Sequence, residues 1–150
     1  MTRARMLVVA AVLIASLLVP AAPASANAAA FKMIRKVNIY RENRGLPKLK
    51  ISRSLNRSSD RYAGRMMRGG YFGHSNRIKA SSRFRRLGEI IEMHRGHRAR
   101  VNSAFRAWRH SGSHNAMMLD GNFRWVGAGY TKGRFHGRRT TMWVMHFGRR

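Results

Sequence analysis

The chain contains no cysteine, which excludes a disulfide framework and any thiolate metal site, so its stability rests on packing. Acidic residues are scarce as well, five Asp plus Glu against 31 Lys plus Arg, for a formal net charge of +26. Two of the five, Glu89 and Glu92, stand three apart in a stretch that reads as a strand, where such residues point to opposite faces and do not form a glycosidase carboxylate pair. No Gly-x-Ser-x-Gly elbow is present, and Ser111 and His114 have no acidic neighbour in sequence, which argues against a serine hydrolase. The apolar run from Met6 to Val19 is shorter than the roughly 20 residues that span a bilayer.

That run instead follows Arg3 and Arg5 and leads through Pro20 and Pro23 to Ala24-Ser25-Ala26, the plan of a secretory signal peptide. The sequence therefore predicts a signal over residues 1–26, cleavage after Ala26, and one domain over 27–150, secreted or held at the cell surface. Without Arg3 and Arg5 the basic residues still number 29 against five acids. Such a charge draws anions to the whole surface and makes polyanion binding steeply salt-dependent. Anionic cell-wall polymer and anionic lipid headgroups are the expected partners outside a cell. Nucleic acid ranks far lower, since no reading helix or zinc-finger spacing accompanies the charge. The plainer reading of the arginines is that they solubilise the domain.

Periodicity organises the rest. Phe31, Ile34, Val37 and Tyr40 predict a helix that Gly45 and Pro47 stop. Ser52 is placed to cap a second helix through Arg68, with Leu55, Tyr62, Ala63, Met66 and Met67 inward and Gly69-Gly70 ending it. Ile78 to Leu87 reads as a short basic helix, and Glu89 to Met93 as a strand. Val101, Ala104, Phe105 and Trp108 repeat as one apolar helix face. Ser113 follows as the cap of a short helix with His114, Met117 and Met118. Strands over 124–131 and 140–147 flank a loop at 132–137, and the second is apolar on both faces, as a covered central strand is. Together these predict an α+β fold.

Five motifs occur in one order: Asn43-Arg44-Gly45-Leu46-Pro47, Phe72-Gly73-His74-Ser75, Gly88-Glu89, Trp108 to His114, and the glycine-rich segment from Trp125 to Tyr130. In this the chain resembles the CAP superfamily, the SCP-like or pathogenesis-related domains, and specifically its bacterial secreted branch, over about Ile34 to Gly148. The resemblance implies a three-layer α-β-α sandwich with a mostly antiparallel central sheet. It also implies a cleft in which His74, Glu89 and His114 are the candidate ligands of zinc or another divalent metal, with Glu89 the one candidate for proton transfer. The family's second acid, three residues after the helix Trp, is Ser111 here. Two imidazoles and one carboxylate form a sound open zinc set; the competing reading is that the three only hydrogen-bond across the fold.

Beside that cleft the sequence places a polyanion-binding rim of Arg77, Lys79, Arg83, Arg85 and Arg86, at the end of an acid-free stretch that also holds Arg61, Arg65 and Arg68. Binding is expected ahead of catalysis. The alternatives are a metal-assisted hydrolase of peptide or wall material and a carrier of small lipids or sterols.

Overall fold

A computed structural model describes residues 24–150. The basic and apolar parts of the expected signal peptide lie outside the described residues. The elements are α1 (Ala24–Glu42), β1 (Lys50–Ile51), α2 (Arg53–Gly69), β2 (Arg86–Arg95), α3 (Val101–His110), α4 (Gly112–Leu119), β3 (Trp125–Phe135) and β4 (Arg138–Arg149). Among the described residues no helix is long and apolar enough to cross a membrane.

The four strands form one sheet in the order β1-β3-β4-β2. β4 runs antiparallel to both neighbours, while the short β1 joins β3 in parallel. The sheet is thus mixed, antiparallel in its three long strands. β4 is central, as its apolar residues predict: Met142 to Phe147 are all buried.

Alternation along β4 divides the core in two. Trp143, Met145 and Phe147 face a cluster with Met33, Ile34 and Val37 of α1, Ala104, Phe105 and Trp108 of α3, and Met118 of α4. Met142 and Val144 face Tyr62, Ala63 and Met66 of α2, with Ile91 of β2. One helix on one side and three on the other make the α-β-α sandwich. α2 lies close on β3 because two glycines face it: a Cβ on Gly127 would collide with Leu55 and Asn56, and one on Gly129 with Asp60. In that contact Asn56 accepts the backbone N–H of Ala128 at 3.0 Å and Ser59 donates to Gly127 O at 3.2 Å.

Three expectations change. Residues 78–87 form no helix; 71–85 is irregular and β2 starts at Arg86. Only Ile78, Phe84 and Leu87 are large and apolar there, too few for a helical stripe, and Phe84 is instead buried against Gly148. The 132–137 loop shrinks to His136-Gly137, because residues 132–135 stay paired with 138–141; both turn residues have positive φ, 47° and 76°, as a tight primed hairpin turn requires. The cap of α4 is Ser111, which makes no side-chain capping bond. By contrast Ser52 caps α2 as expected, accepting from Leu55 N.

Arg41 is a buried feature that periodicity did not reveal. It is 0% exposed and lies seven residues after Ile34 on the buried side of α1. Its guanidinium donates to Pro47 O (3.0 Å), Met118 O (2.8 Å) and Asp120 O (3.0 Å), tying α1 to the connector before β1 and to the end of α4.

Candidate functional site

β2 is an edge strand of the sheet, at the end opposite β1, so the loop after α2 and helix α4 can both reach it. Gly88 permits that approach on the α4 side, since a Cβ there would strike Met117 and Phe123. Glu89 comes next. Its Oε1 accepts from the backbone N–H of Ser75 at 2.8 Å and lies 3.0 Å from His74 Nδ1. Its Oε2 lies 2.8 Å from His146 Nε2. His146 stands directly opposite Glu89 in the β2–β4 register and is 1% exposed.

The sequence reading missed His146. Its signal was a lone polar residue in the otherwise apolar run from Met142 to Phe147. A carboxylate only accepts hydrogen bonds, so His74 donates through Nδ1 and His146 through Nε2. Burial pushes the Glu89 carboxyl up, but the His146 hydrogen bond, the Ser75 N–H, the His146 charge and the His74 hydrogen bond together outweigh it. The net effect holds Glu89 below its ordinary value, and it stays ionised at neutral pH.

His114, on α4, has its ring centroid 6.4 Å from that of His74. Burial, and after it the charge of His74, lowers its pKa. The structure thus gathers His74, Glu89 and His114 at one edge of the sheet. Both Glu89 oxygens are engaged, however, and among the described residues no group of three His, Cys, Asp or Glu is arranged to hold a metal ion. The three-residue ligand set therefore does not fit as it stands. In this arrangement Glu89 orients His74 from behind, as carboxylates behind metal-bound imidazoles do.

The expected rim divides. A cleft of about 400 Å³ opens beside His74, lined by Tyr62, Arg65, Tyr71, Ser75, Asn76, Arg77 and Lys79. Arg77 and Lys79 are where the sequence put them, and Arg65 joins from α2. Arg83, Arg85 and Arg86 do not line it; Arg86 instead pairs with Asp120 at 2.8 Å. Tyr71 lines the cleft and, like its neighbour Phe72, is 40% exposed. Trp108 and Trp143 are core residues, donating to Ile91 O and Ala99 O. Glu92 engages His94 at 3.0 Å, away from Glu89, so the two glutamates share no cleft.

The CAP family, the cysteine-rich secretory protein family, matches residues 34–147. The chain belongs to this family, without any cysteine of its own. Among solved structures it is similar to an outer surface protein from Borrelia burgdorferi, with TM-score 0.65, 18% identity, and 80% of this chain and 91% of that one covered. It is similar to an extracellular SCP-domain protein from Bacillus anthracis, with TM-score 0.65, 20% identity, and 83% of this chain but 41% of that one covered. Schistosoma mansoni venom allergen-like protein 4 matches with TM-score 0.61, 14% identity, and 84% and 88% covered. At these identities the likeness is one of fold. No curated protein matches the sequence.

Proposed function

We propose that this CAP domain acts outside the cell as a cationic binding domain that holds anionic wall polymer or an anionic lipid surface over the cleft beside His74. One observation carries the reading: Arg65, Arg77 and Lys79 converge on a cleft whose lining contains no acidic side chain. Four of the five acids are engaged elsewhere, on Lys48, His94, Arg86 and the Tyr130 backbone N–H, and Glu89 stands behind the lining, held by His74, His146 and the Ser75 N–H. Converging guanidinium and ammonium groups grip phosphate or carboxylate by charge-assisted hydrogen bonds. The amino-terminal export pattern supports the location, as do the words outer surface and extracellular in the names of two structural relatives.

The test is retention of the protein on isolated wall particles and on vesicles with and without anionic lipid, across a salt series. Retention that falls steeply with salt and needs the anionic component supports the reading. Salt-independent retention, or none, overturns it, and release of soluble fragments from the wall moves the assignment to a hydrolase.

A second reading keeps a metal in a narrower form. The Glu89 contact occupies His74 Nδ1 and leaves Nε2 as the ligand atom, with the His114 ring nearby. Such a pair would hold zinc with solvent completing the shell, and zinc would supply Lewis-acid chemistry there. His74 and His114 would bind it, and Glu89 would fix the His74 ring.

A further inference from the structure

Behind the cleft lies a notch of about 30 Å³ that includes His146 and Ser75 in its walls. It shares Tyr62, Arg65, Ser75, Arg77 and Lys79 with the cleft, so one ligand can occupy both. Its volume is that of one water-sized group.

Two side-chain atoms at this place are buried without any hydrogen-bond partner: His146 Nδ1 and Ser75 Oγ. Buried polar atoms are nearly always paired, and an unpaired one calls for an explanation. The His146 tautomer follows from its other nitrogen. Nε2 donates to the ionised Glu89 carboxylate whatever the charge of the ring, so Nδ1 is a bare acceptor in the neutral ring and a bare donor in the imidazolium, and a hydroxyl, which both donates and accepts, satisfies either form. A phosphate or carboxylate oxygen does not satisfy an acceptor; a hydroxyl does. The serine hydroxyl, free to rotate, can donate to or accept from the same group.

We propose that the notch is a hydroxyl-recognising subsite and that the whole cleft takes a polyol phosphate. The phosphate lies against Arg65, Arg77 and Lys79, and a hydroxyl of the same unit enters the notch and donates to His146 Nδ1. The proposal rests on the reading of the cleft as an anion-binding surface and adds the ligand's chemical class. A site built to hydrogen-bond a hydroxyl discriminates against an analogue that lacks it, because the buried acceptor is then left unpaired. Tyr62 closes the notch wall, held by its own hydrogen bond to Gly73 O at 2.7 Å, so it does not compete for Nδ1.

The test compares glycerol phosphate with ethyl phosphate, equal in charge but lacking the hydroxyls, by calorimetry at pH 8 on the full domain. A polymer of glycerol phosphate forms a third arm that separates a polymeric source from a free metabolite. Glycerol phosphate is expected to bind at least tenfold tighter than ethyl phosphate. Ser75→Val, which fills the notch while keeping the Ser75 backbone N–H on Glu89, is expected to erase that preference, so that the two phosphates bind with equal affinity. His146→Leu is expected to do the same, and Ser75→Val carries the test alone if His146→Leu fails to fold. Polymer binding tighter per unit than the monomer assigns the polymeric source; equal binding assigns the free phosphate.

Equal affinity for the two phosphates, both lost in Arg65→Gln/Arg77→Gln/Lys79→Gln, overturns the hydroxyl subsite and leaves the anion-binding cleft standing. Binding of neither phosphate, or binding indifferent to that triple change, overturns both.

Discussion

Glu89 and His146 face each other across β2 and β4, joined by a 2.8 Å hydrogen bond between Oε2 and Nε2 although 57 positions separate them in sequence. The pair links the edge strand to the central strand, and through the other oxygen it fixes His74 and Ser75. One carboxylate thereby positions the His74–Ser75 side of the cleft and the His146 wall of the notch behind it.

That linkage has a pH signature. The folded pKa of Glu89 lies below its ordinary 4.5, so the unfolded chain takes up the proton first as pH falls. The stability Glu89 contributes is complete above about pH 4.5 and is lost as pH drops from there through the lowered folded value. Glu89→Gln should lower Tm at pH 7 and shrink the further fall in Tm between pH 5 and pH 3. A wild-type and a Gln variant with parallel Tm curves over that range would contradict it.

His114 should act in a higher window. Its folded pKa is lowered from 6.5 by burial and by His74, so the unfolded state binds the proton first and stability falls as pH drops below about 6.5. His114→Asn should reduce the loss of Tm between pH 8 and pH 5. An undiminished loss would remove His114 from the account.

Arg41 is a structural counterpart to these groups. Three carbonyls converge on its guanidinium with no carboxylate in direct contact, and its removal would leave Pro47 O, Met118 O and Asp120 O short of a donor. Arg41→Met should cost roughly 1–3 kcal/mol, the range for leaving buried acceptors without their donor. Urea unfolding measures it; a loss under 1 kcal/mol would show that water replaces the guanidinium freely.

Gly127 and the cleft are coupled through α2. A Cβ at Gly127 meets the backbone of Leu55 and Asn56, which cannot rotate away as a side chain would, so Gly127→Ala must push α2 off the sheet. A cost of about 1–3 kcal/mol is expected, together with weaker anion retention, since the displaced helix carries Arg61 and Arg65. Full stability and full retention would contradict the close approach.

Much of this was legible in sequence where one short segment decides its own structure. The stripe Val101, Ala104, Phe105, Trp108 gave α3, Ser52 gave the start of α2, and the two-faced apolar run in β4 gave the central strand. The motifs around His74, Glu89 and His114 pointed to residues that do converge on one edge. What stayed hidden depends on partners far away in the chain. His146 reads as one polar residue in a core strand until the register sets it opposite Glu89. Arg41 reads as one more of 31 cations until three carbonyls are seen to surround it. The sequence grouped Arg83, Arg85 and Arg86 with Arg77 and Lys79, which alone of the five line the cleft, because charge density along the chain does not show that β2 begins at Arg86 and carries that residue toward Asp120.

The division of the rim supplies the most direct measurement. Two variants remove the same charge: Arg65→Gln/Arg77→Gln/Lys79→Gln inside the cleft and Arg83→Gln/Arg85→Gln/Arg86→Gln outside it. Any contribution from overall charge is equal in the two, so their difference in salt-dependent retention on anionic wall particles reports the cleft alone. The inner variant should lose retention and flatten the salt slope by roughly two units, as the loss of about three phosphate contacts does for other polyanions, while the outer variant stays near wild type. Equal losses, or a larger loss in the outer variant, would show that binding follows overall charge and not the cleft beside His74.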